Sequence, residues 1–439
     1  MGNISAIAPQ KSLTVQKIYD WHKARGDSQA SRGYLGASQI GKECERYLWY
    51  CFRVLGGKPS FDGRMYRLFE TGNLAEARFV AELRGIGCEV HEVGEDGKQI
   101  AVSALGGHFK GHMDGVALGI PEAPKTWHVL EFKTHNAKSW EKLRSVGVKA
   151  AKPEHYAQMQ VYMGLAGLTR ALYLAVNKDT DELYDERIEF NAKEFKIFMA
   201  KAERIIRANE PPLRISTRPD DFRCKFCDAF DACWGNEAKA VCLPCKSCRS
   251  CCHATPEIDK DEDWARWTCN RAGRGDITYL EQLAACEEHL LLPSFVMFAD
   301  PVDSADDWIE FKNKDGDTWR HGKGGDGSWT TEELIKTPAS MVGKKLIEEA
   351  KRMFGGTVKE VEKKSLVERY APESSCLVWE GKPKDMPEAL VKWDQDLALT
   401  QPTDRQEDER VSALEYGNNC ITVVYKGEDY AAIWAWLPF

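Results

Sequence analysis

Asp114, Glu131 and Lys133 are the residues of this chain whose types and spacing could do chemistry together. Asp114 sits in GHMDGV at the end of a strand-like stretch, and seventeen residues later LEFKT carries Glu131 and Lys133 two apart. Side chains alternate across a strand, so Glu131 and Lys133 share one face while Leu130 and Phe132 turn to the core. GIPEAPK between them reads as a hairpin-like turn that brings Asp114 alongside Glu131. Two carboxylates can hold a divalent hard cation, which polarises a phosphoryl oxygen and lowers the pKa of a bound water. A lysine beside them can orient that water or stabilise charge in the transition state. The chemistry is phosphodiester hydrolysis. Taken alone, an E-x-K on a strand equally fits a surface strand of alternating charge.

Several elements must position these residues. Residues 37–55 read as a helix with Ser38 as N-cap, and a second helical run covers about 64–85. CEVHEVG, KQIAVSA, GHFKGHMDGVALG and TWHVLEFKT read as strands. A basic, helix-compatible stretch at 138–152 is followed by a helix from about Glu154 to Gly167, the strand ALYLAVNK and a helix at 191–209. This order predicts an α/β fold. The domain division predicted is 1–236, a cysteine-rich module at 237–275, and a separate C-terminal α/β domain at 276–439 without an assignable role.

Two helices add to the first constellation. HYAQMQVYMGLAG places Gln158 and Tyr162 four apart on one helix face, and FETGNLAEARF does the same for Gly72 and Glu76. Here the sequence resembles the RecB-like branch of the PD-(D/E)XK nucleases. That branch is marked by a G-x-x-x-(H/E) helix, an Asp ahead of E-x-K, and a Q-x-x-x-Y helix, all present in the family's order over roughly residues 35–235. The resemblance implies a restriction-endonuclease-like core, a mixed sheet flanked by helices. It implies Asp114 and Glu131 as ligands of Mg²⁺ or Mn²⁺, helped by the Phe132 carbonyl, with Lys133 as the catalytic lysine. Glu76 stands where the family places a further metal-site side chain, often His; Gln158 and Tyr162 would organise the site and touch DNA. His155, one turn before Gln158, could face the cleft too, with a capping or surface histidine as the plainer reading. WIEFKN repeats the spacing at Glu310 and Lys312, but its upstream acids are too close to lie across a hairpin and no Q-x-x-x-Y helix follows.

Fifteen cysteines, nine of them between Cys224 and Cys269, point to metal binding in a chain without an export signal. Cys224, Cys227 and Cys233 form a C-x2-C-x5-C set that lacks a fourth ligand. By resemblance to the RecB-like nucleases with an iron–sulfur cluster, Cys44 completes a [4Fe–4S] site, a staple for the fold with no redox step. A four-thiolate zinc site is the plainer alternative. For the second cluster the choice is zinc on Cys248, Cys251, His253 and Cys269, with Cys242, Cys245 and Cys252 as further donors. Cys51, Cys88, Cys286, Cys376 and Cys420 are scattered and read as buried small hydrophobes.

The 439 residues carry a formal net charge of −8, which excludes a polycation that coats nucleic acid and requires any DNA contact to be local. Lys138, Lys142, Arg144, Lys149 and Lys152, with Trp140 among them, offer such a surface: cations for phosphates, an aromatic for an unpaired base. The alternative is a solvated helix face. No stretch is long and apolar enough to span a bilayer, the N-terminus lacks a secretion signal, and Ala6 breaks the myristoylation pattern. These features predict a cytoplasmic protein. The expected function is a DNA exonuclease acting on ends, in recombination, repair or replication, as in phage or bacterial relatives. A CRISPR-adaptation-type enzyme, a flap or endonuclease, and a non-catalytic DNA-binding scaffold are the alternatives.

Overall fold

The computed structural model describes residues 12–28, 32–53, 61–235, 243–259, 263–271, 275–324, 326–354, 356–360, 376–381, 411–416, 420–426 and 431–436, with side chains described as far as residue 358. The chain forms two compact units: residues 1–217 with 256–268, and residues 218–255 with 269–439.

The first unit contains α1 (Leu13–Asp27), β1 (Leu35–Gly36), α2 (Glu45–Arg53), α3 (Gly63–Gly85), β2 (Glu89–His91), β3 (Ala101–Ala104), β4 (Phe109–His112) and β5 (Gly115–Leu118). It continues through β6 (His128–His135), α4 (Ala137–Ala151), α5 (Pro153–Ala166), β7 (Arg170–Asn177), β8 (Leu183–Glu189) and α6 (Ala192–Arg207). Five strands form a mixed sheet in the order β2-β5-β6-β7-β8, in which β6 and β7 run parallel and the other pairs antiparallel. The parallel pair requires a crossover, which α4 and α5 supply. From His128 to Phe132 every residue of β6 is buried, the pattern of a strand covered on both faces. Leu130 and Phe132 join Phe79, Val80 and Leu83 of α3 and Leu172 and Leu174 of β7 in one apolar cluster, and the Phe79 and Phe132 rings stack at 5.1 Å. Alternation therefore sends Glu131 to the other face.

Where the sequence reading and the structure differ, the cause is local. The helix expected from Ser38 begins only at Glu45. The carbonyls of Ile40 and Lys42 are taken by the Lys201 ammonium, the first at 2.9 Å, so they are not helix acceptors. Gly41 also abuts the Pro153–Glu154 backbone, where a Cβ would meet the Glu154 Cα. GHFKGHMDGVALG is two strands, β4 in a small sheet with β1 and β3, and β5 in the main sheet. Residues 256–268 pack in the first unit because the His108 ring lies 3.0 Å from the Glu257 carbonyl and 2.9 Å from that of Arg266, while Trp267 stacks on Phe52.

The second unit holds α7 (Phe222–Lys225), α8 (Phe230–Trp234), α9 (Tyr279–Ala284), β12 (Ala299–Ala305), β13 (Trp308–Asn313), β14 (Thr318–His321), α10 (Thr331–Lys336) and α11 (Lys345–Phe354). In sequence, three short strands lie between α8 and α9, β9 (Ala254–Pro256), β10 (Trp267–Cys269) and β11 (Gly275–Ile277), of which Pro256, Trp267 and Thr268 belong to the first unit. An antiparallel sheet β15-β16-β19-β18-β17 follows, formed by Lys359–Glu360, Cys376–Gly381, Ala431–Trp436, Cys420–Lys426 and Val411–Tyr416. Thr330 and Glu333 form a capping box that starts α10. Glu310 pairs with Arg320 across the β13–β14 hairpin at 2.9 Å, so this second E-x-K belongs to an ordinary hairpin. Among the described residues no helix is long and apolar enough to cross a membrane.

Candidate active site

Antiparallel pairing sets Gly115 opposite Leu130, which brings Asp114 opposite Glu131. The Phe132 backbone N–H donates to Asp114 Oδ2 at 2.7 Å, locking the carboxylate to β6. Lys133 Nζ stands 2.5 Å from Glu131 Oε1 and donates to the Phe132 carbonyl at 2.8 Å. The Phe132 carbonyl, expected to help hold a metal, is thus engaged by Lys133 in this arrangement. Glu131 is fully buried, and neither of its oxygens has an aligned hydrogen-bond donor among the described residues.

A buried carboxylate without aligned donors resists ionisation. Burial pushes the Glu131 carboxyl up to about 7 against the pull of Lys133, and the nearby Asp114 and Glu76 charges push it further. Burial also raises Asp114, opposed by Lys133 and the Phe132 N–H. Glu76 is raised by burial and by Asp114, and lowered by Lys133, so all three acids share one field with the lysine. A site with three acids, one fully buried and lacking aligned donors, is chemically suited to a hard divalent cation. As placed, no three His, Cys, Asp or Glu side chains among the described residues converge to hold an ion.

The Q-x-x-x-Y helix supports this face from behind. Gln158 Nε2 donates to Tyr162 Oη at 3.1 Å, and Tyr162 Oη donates to the His112 carbonyl at 2.8 Å, two residues before Asp114. Both side chains are buried, so they organise the turn carrying Asp114 and do not present a DNA-facing surface. Gly111 makes room, since a Cβ there would run into the Tyr162 ring. Gly111→Ala is expected to cost about 1–3 kcal/mol by overpacking, read as a lowered midpoint in denaturant unfolding.

Three residues that sequence reasoning missed or misjudged complete the surroundings. Tyr173 pairs in register with Glu131, and its hydroxyl lies 2.8 Å from His135 Nε2 and 3.0 Å from His155 Nδ1. One hydroxyl proton serves two imidazoles, so Tyr173 donates to one ring and accepts from the other. His155 is therefore half-buried and stacked on Tyr173, turned toward the site as one of its two sequence readings has it. Burial, then the Lys133 and Lys152 charges, hold His155 down to about 3; burial, Lys152 and Lys133 hold His135 to about 4. Both rings are neutral near pH 7, leaving Lys133 as the cation beside the acids.

The basic stretch becomes α4, with Lys138, Lys142, Arg144 and Lys149 exposed and Lys152 half-buried. Lys149 pairs with Glu194 at 2.8 Å. Trp140 does not stack on a base: it is 1% exposed and packs edge-on against Tyr184, because its position on the helix faces the sheet.

Cys224 is buried on α7, Cys227 follows it, and Cys233 lies on α8, all in the second unit. Cys44 belongs to the first unit, where its sulfur accepts the Tyr47 N–H at 3.4 Å at the start of α2. That helix is held to the end of α6 by Arg204–Glu45 and by Trp49 Nε1 donating to the Ala208 carbonyl at 2.8 Å. Cys248, Cys251, His253 and Cys269 line one cavity of the second unit together with Cys286, which the sequence alone assigns to the scattered apolar cysteines. Cys245 and Cys252 are exposed, and Cys242 lies outside the described residues.

No family model and no curated protein matches this chain. Among solved structures, the chain is similar to an alkaline exonuclease from Laribacter hongkongensis, at 20% identity and a TM-score of 0.30 over 42% of this chain and 90% of that one. The same enzyme in complex with dAMP matches at 20% identity and a TM-score of 0.29, over 42% of this chain and 89% of that one. The structure of SSO0001 matches at 15% identity and a TM-score of 0.30, covering 52% of this chain and 98% of that one.

Proposed function

We propose that this protein is a metal-dependent deoxyribonuclease that hydrolyses phosphodiester bonds from DNA ends, with Asp114, Glu131 and Lys133 as its catalytic core. The observation that carries the reading is the fully buried Glu131 carboxylate, which lacks aligned hydrogen-bond donors and stands between Asp114 and Lys133. A fully buried carboxylate, even with the Lys133 ammonium 2.5 Å away, costs stability and persists where a function uses it.

Asp114 and Glu131 would hold a Mg²⁺ or Mn²⁺ ion, with Glu76 reaching the same region. When bound, the ion supplies charge for the phosphoryl oxygen and a more acidic water. Lys133 leaves the Phe132 carbonyl and directs its ammonium to the attacking water or to a non-bridging oxygen. Tyr162, anchored on the His112 carbonyl, keeps Asp114 facing β6. Tyr173 and the neutral pair His135 and His155 pack the face carrying Glu131 without adding a competing cation.

Phosphates would run along the exposed cations of α4. Replacing Lys138, Lys142 and Arg144 with alanine is expected to weaken DNA binding uniformly across sequences. The slope of log affinity against log salt should become shallower by about 0.9 for each phosphate no longer neutralised, measured by fluorescence anisotropy at several salt concentrations.

Cys44, Cys224, Cys227 and Cys233 are the four thiols that would hold a [4Fe–4S] cluster as a structural staple. The assignment to ends is tested with covalently closed circular DNA beside the same DNA linearised, in Mg²⁺. Digestion of the linear form with the circle spared is expected; cutting of the circle would keep the active site and remove the exonuclease reading.

A further inference from the structure

A hydrogen-bonded chain runs from the start of α4 to the face that carries Glu131. Ser139, in the first turn of α4, has its hydroxyl 3.1 Å from His135 Nδ1. His135 Nε2 lies 2.8 Å from the Tyr173 hydroxyl, and that hydroxyl lies 3.0 Å from His155 Nδ1. There the chain stops. His155 Nε2 has no hydrogen-bond partner among the described residues, and solvent reaches it. With Nδ1 turned inward to Tyr173, Nε2 is the side of the ring that points outward. Lys133 and Lys152 are the two ammonium groups whose fields fall on this ring, which marks its free edge as a place for an anion.

We propose that His155 Nε2–H is an uncharged hydrogen-bond donor to a phosphate oxygen of the DNA strand, with Tyr173, His135 and Ser139 as the positioning residues that fix its tautomer. The inference rests on the nuclease reading and names one contact of its substrate.

The four groups allow two proton arrangements, because Tyr173 must donate to one ring and accept from the other. In the first, Ser139 donates to His135 Nδ1, His135 Nε2–H donates to Tyr173, and Tyr173 donates to His155 Nδ1. The proton of His155 then sits on Nε2. In the second, every bond is reversed and Nε2 is bare. A phosphodiester oxygen only accepts, so its arrival selects the first arrangement. All the bonds then point towards the strand, and each polarises the next. Burial together with Lys133 and Lys152 keeps both rings uncharged. The contact therefore fixes where the phosphate sits and leaves the charge on it to Lys133.

Fluorescence anisotropy of a dye-tagged single-stranded oligonucleotide in Ca²⁺, at several salt concentrations, tests the contact. His155→Ala is expected to weaken binding about tenfold, the usual share of a hydrogen bond to a charged group. The salt slope should stay as it is, since an uncharged donor releases no counterion. Tyr173→Phe keeps the ring that stacks on His155 and is expected to lose severalfold in affinity, again at unchanged slope. Nitrogen-15 shifts of the His155 ring in the complex, identified by their absence from His155→Gln, should show Nε2 protonated and Nδ1 bare. Undiminished affinity in both variants, or a bare Nε2 in the complex, overturns the proposal. A slope shallower by about 0.9 in His155→Ala would make the ring a cation and overturns it too, as does a wild type that binds no oligonucleotide. These readouts stand apart from catalysis. DNA cleavage with affinity untouched in both variants would leave the nuclease reading intact, and the predicted contact in a protein that never cuts would do the reverse.

Discussion

Lys133→Ala is expected to lower the rate of DNA hydrolysis roughly a hundred- to thousandfold, the usual effect of removing one preorganised charge from a transition state. The expectation follows from the place of the ammonium. Lys133 is half-buried, held between Glu131 and the Phe132 carbonyl, and is the cation whose field the three acids share. The acids raise its pKa against the effect of burial, so it is charged throughout the neutral range. The substitution has a second consequence. Without the lysine, Glu131 loses the partner that favours its ionised form, and its carboxyl titrates at higher pH still. Residual activity of Lys133→Ala should therefore peak at a more alkaline pH than that of the wild type. A pH–rate profile with Mn²⁺ checks both points, and an unchanged rate would remove Lys133 from the mechanism.

Glu131→Gln is expected to abolish metal-dependent cleavage while altering the stability of the metal-free protein in a pH-dependent way. In the folded state the Glu131 carboxyl is raised from 4.5 to about 7. The unfolded chain releases this proton near 4.5 and the folded chain near 7. Between those values the folded state binds more protons, so stability from this group is full below 4.5 and declines as pH rises to 7. The decline is about 3 kcal/mol on the scale of 1.36 kcal/mol per tenfold change. Lys133 titrates far above this window and leaves the sign unchanged. Urea unfolding of the metal-free wild type should show the decline, and Glu131→Gln should remove it. Mn²⁺ at about pH 8, above the Glu131 transition, should raise the melting temperature of the wild type and leave that of Glu131→Gln unmoved. A carboxamide offers no charge for the cation, so equal shifts in both proteins would place the ion elsewhere.

The geometry of the core is legible because it depends on local periodicity. Two-residue alternation in LEFKT puts Glu131 and Lys133 on one face, and the short connection after Asp114 brings that residue across from Glu131. What escapes the sequence arises from long-range pairing. Tyr173 belongs to the site because β7 lies parallel to β6, and nothing in ALYLAVNK distinguishes it from an ordinary aromatic core residue. His155 lies beside Lys133 because α5 packs on the same face, where helical spacing alone leaves its direction open. Trp140 reads as available to a base for the same reason, since a basic helix with one tryptophan does not state which face meets the sheet. Cys286 is the clearest case. It stands beyond the cysteine-rich segment in sequence, and only the return of the chain after α9 brings it to the wall shared with Cys248, Cys251 and Cys269.

The most direct test is hydrolysis of an end-labelled linear duplex by the anaerobically purified protein in Mn²⁺ and in EDTA, with Glu131→Gln under the same conditions. Release of label by the wild type in Mn²⁺ alone, with Glu131→Gln inert though folded, is the predicted result. A folded wild type that releases no label, from single-stranded as well as duplex DNA, would contradict the assignment of Asp114, Glu131 and Lys133 as a hydrolytic centre.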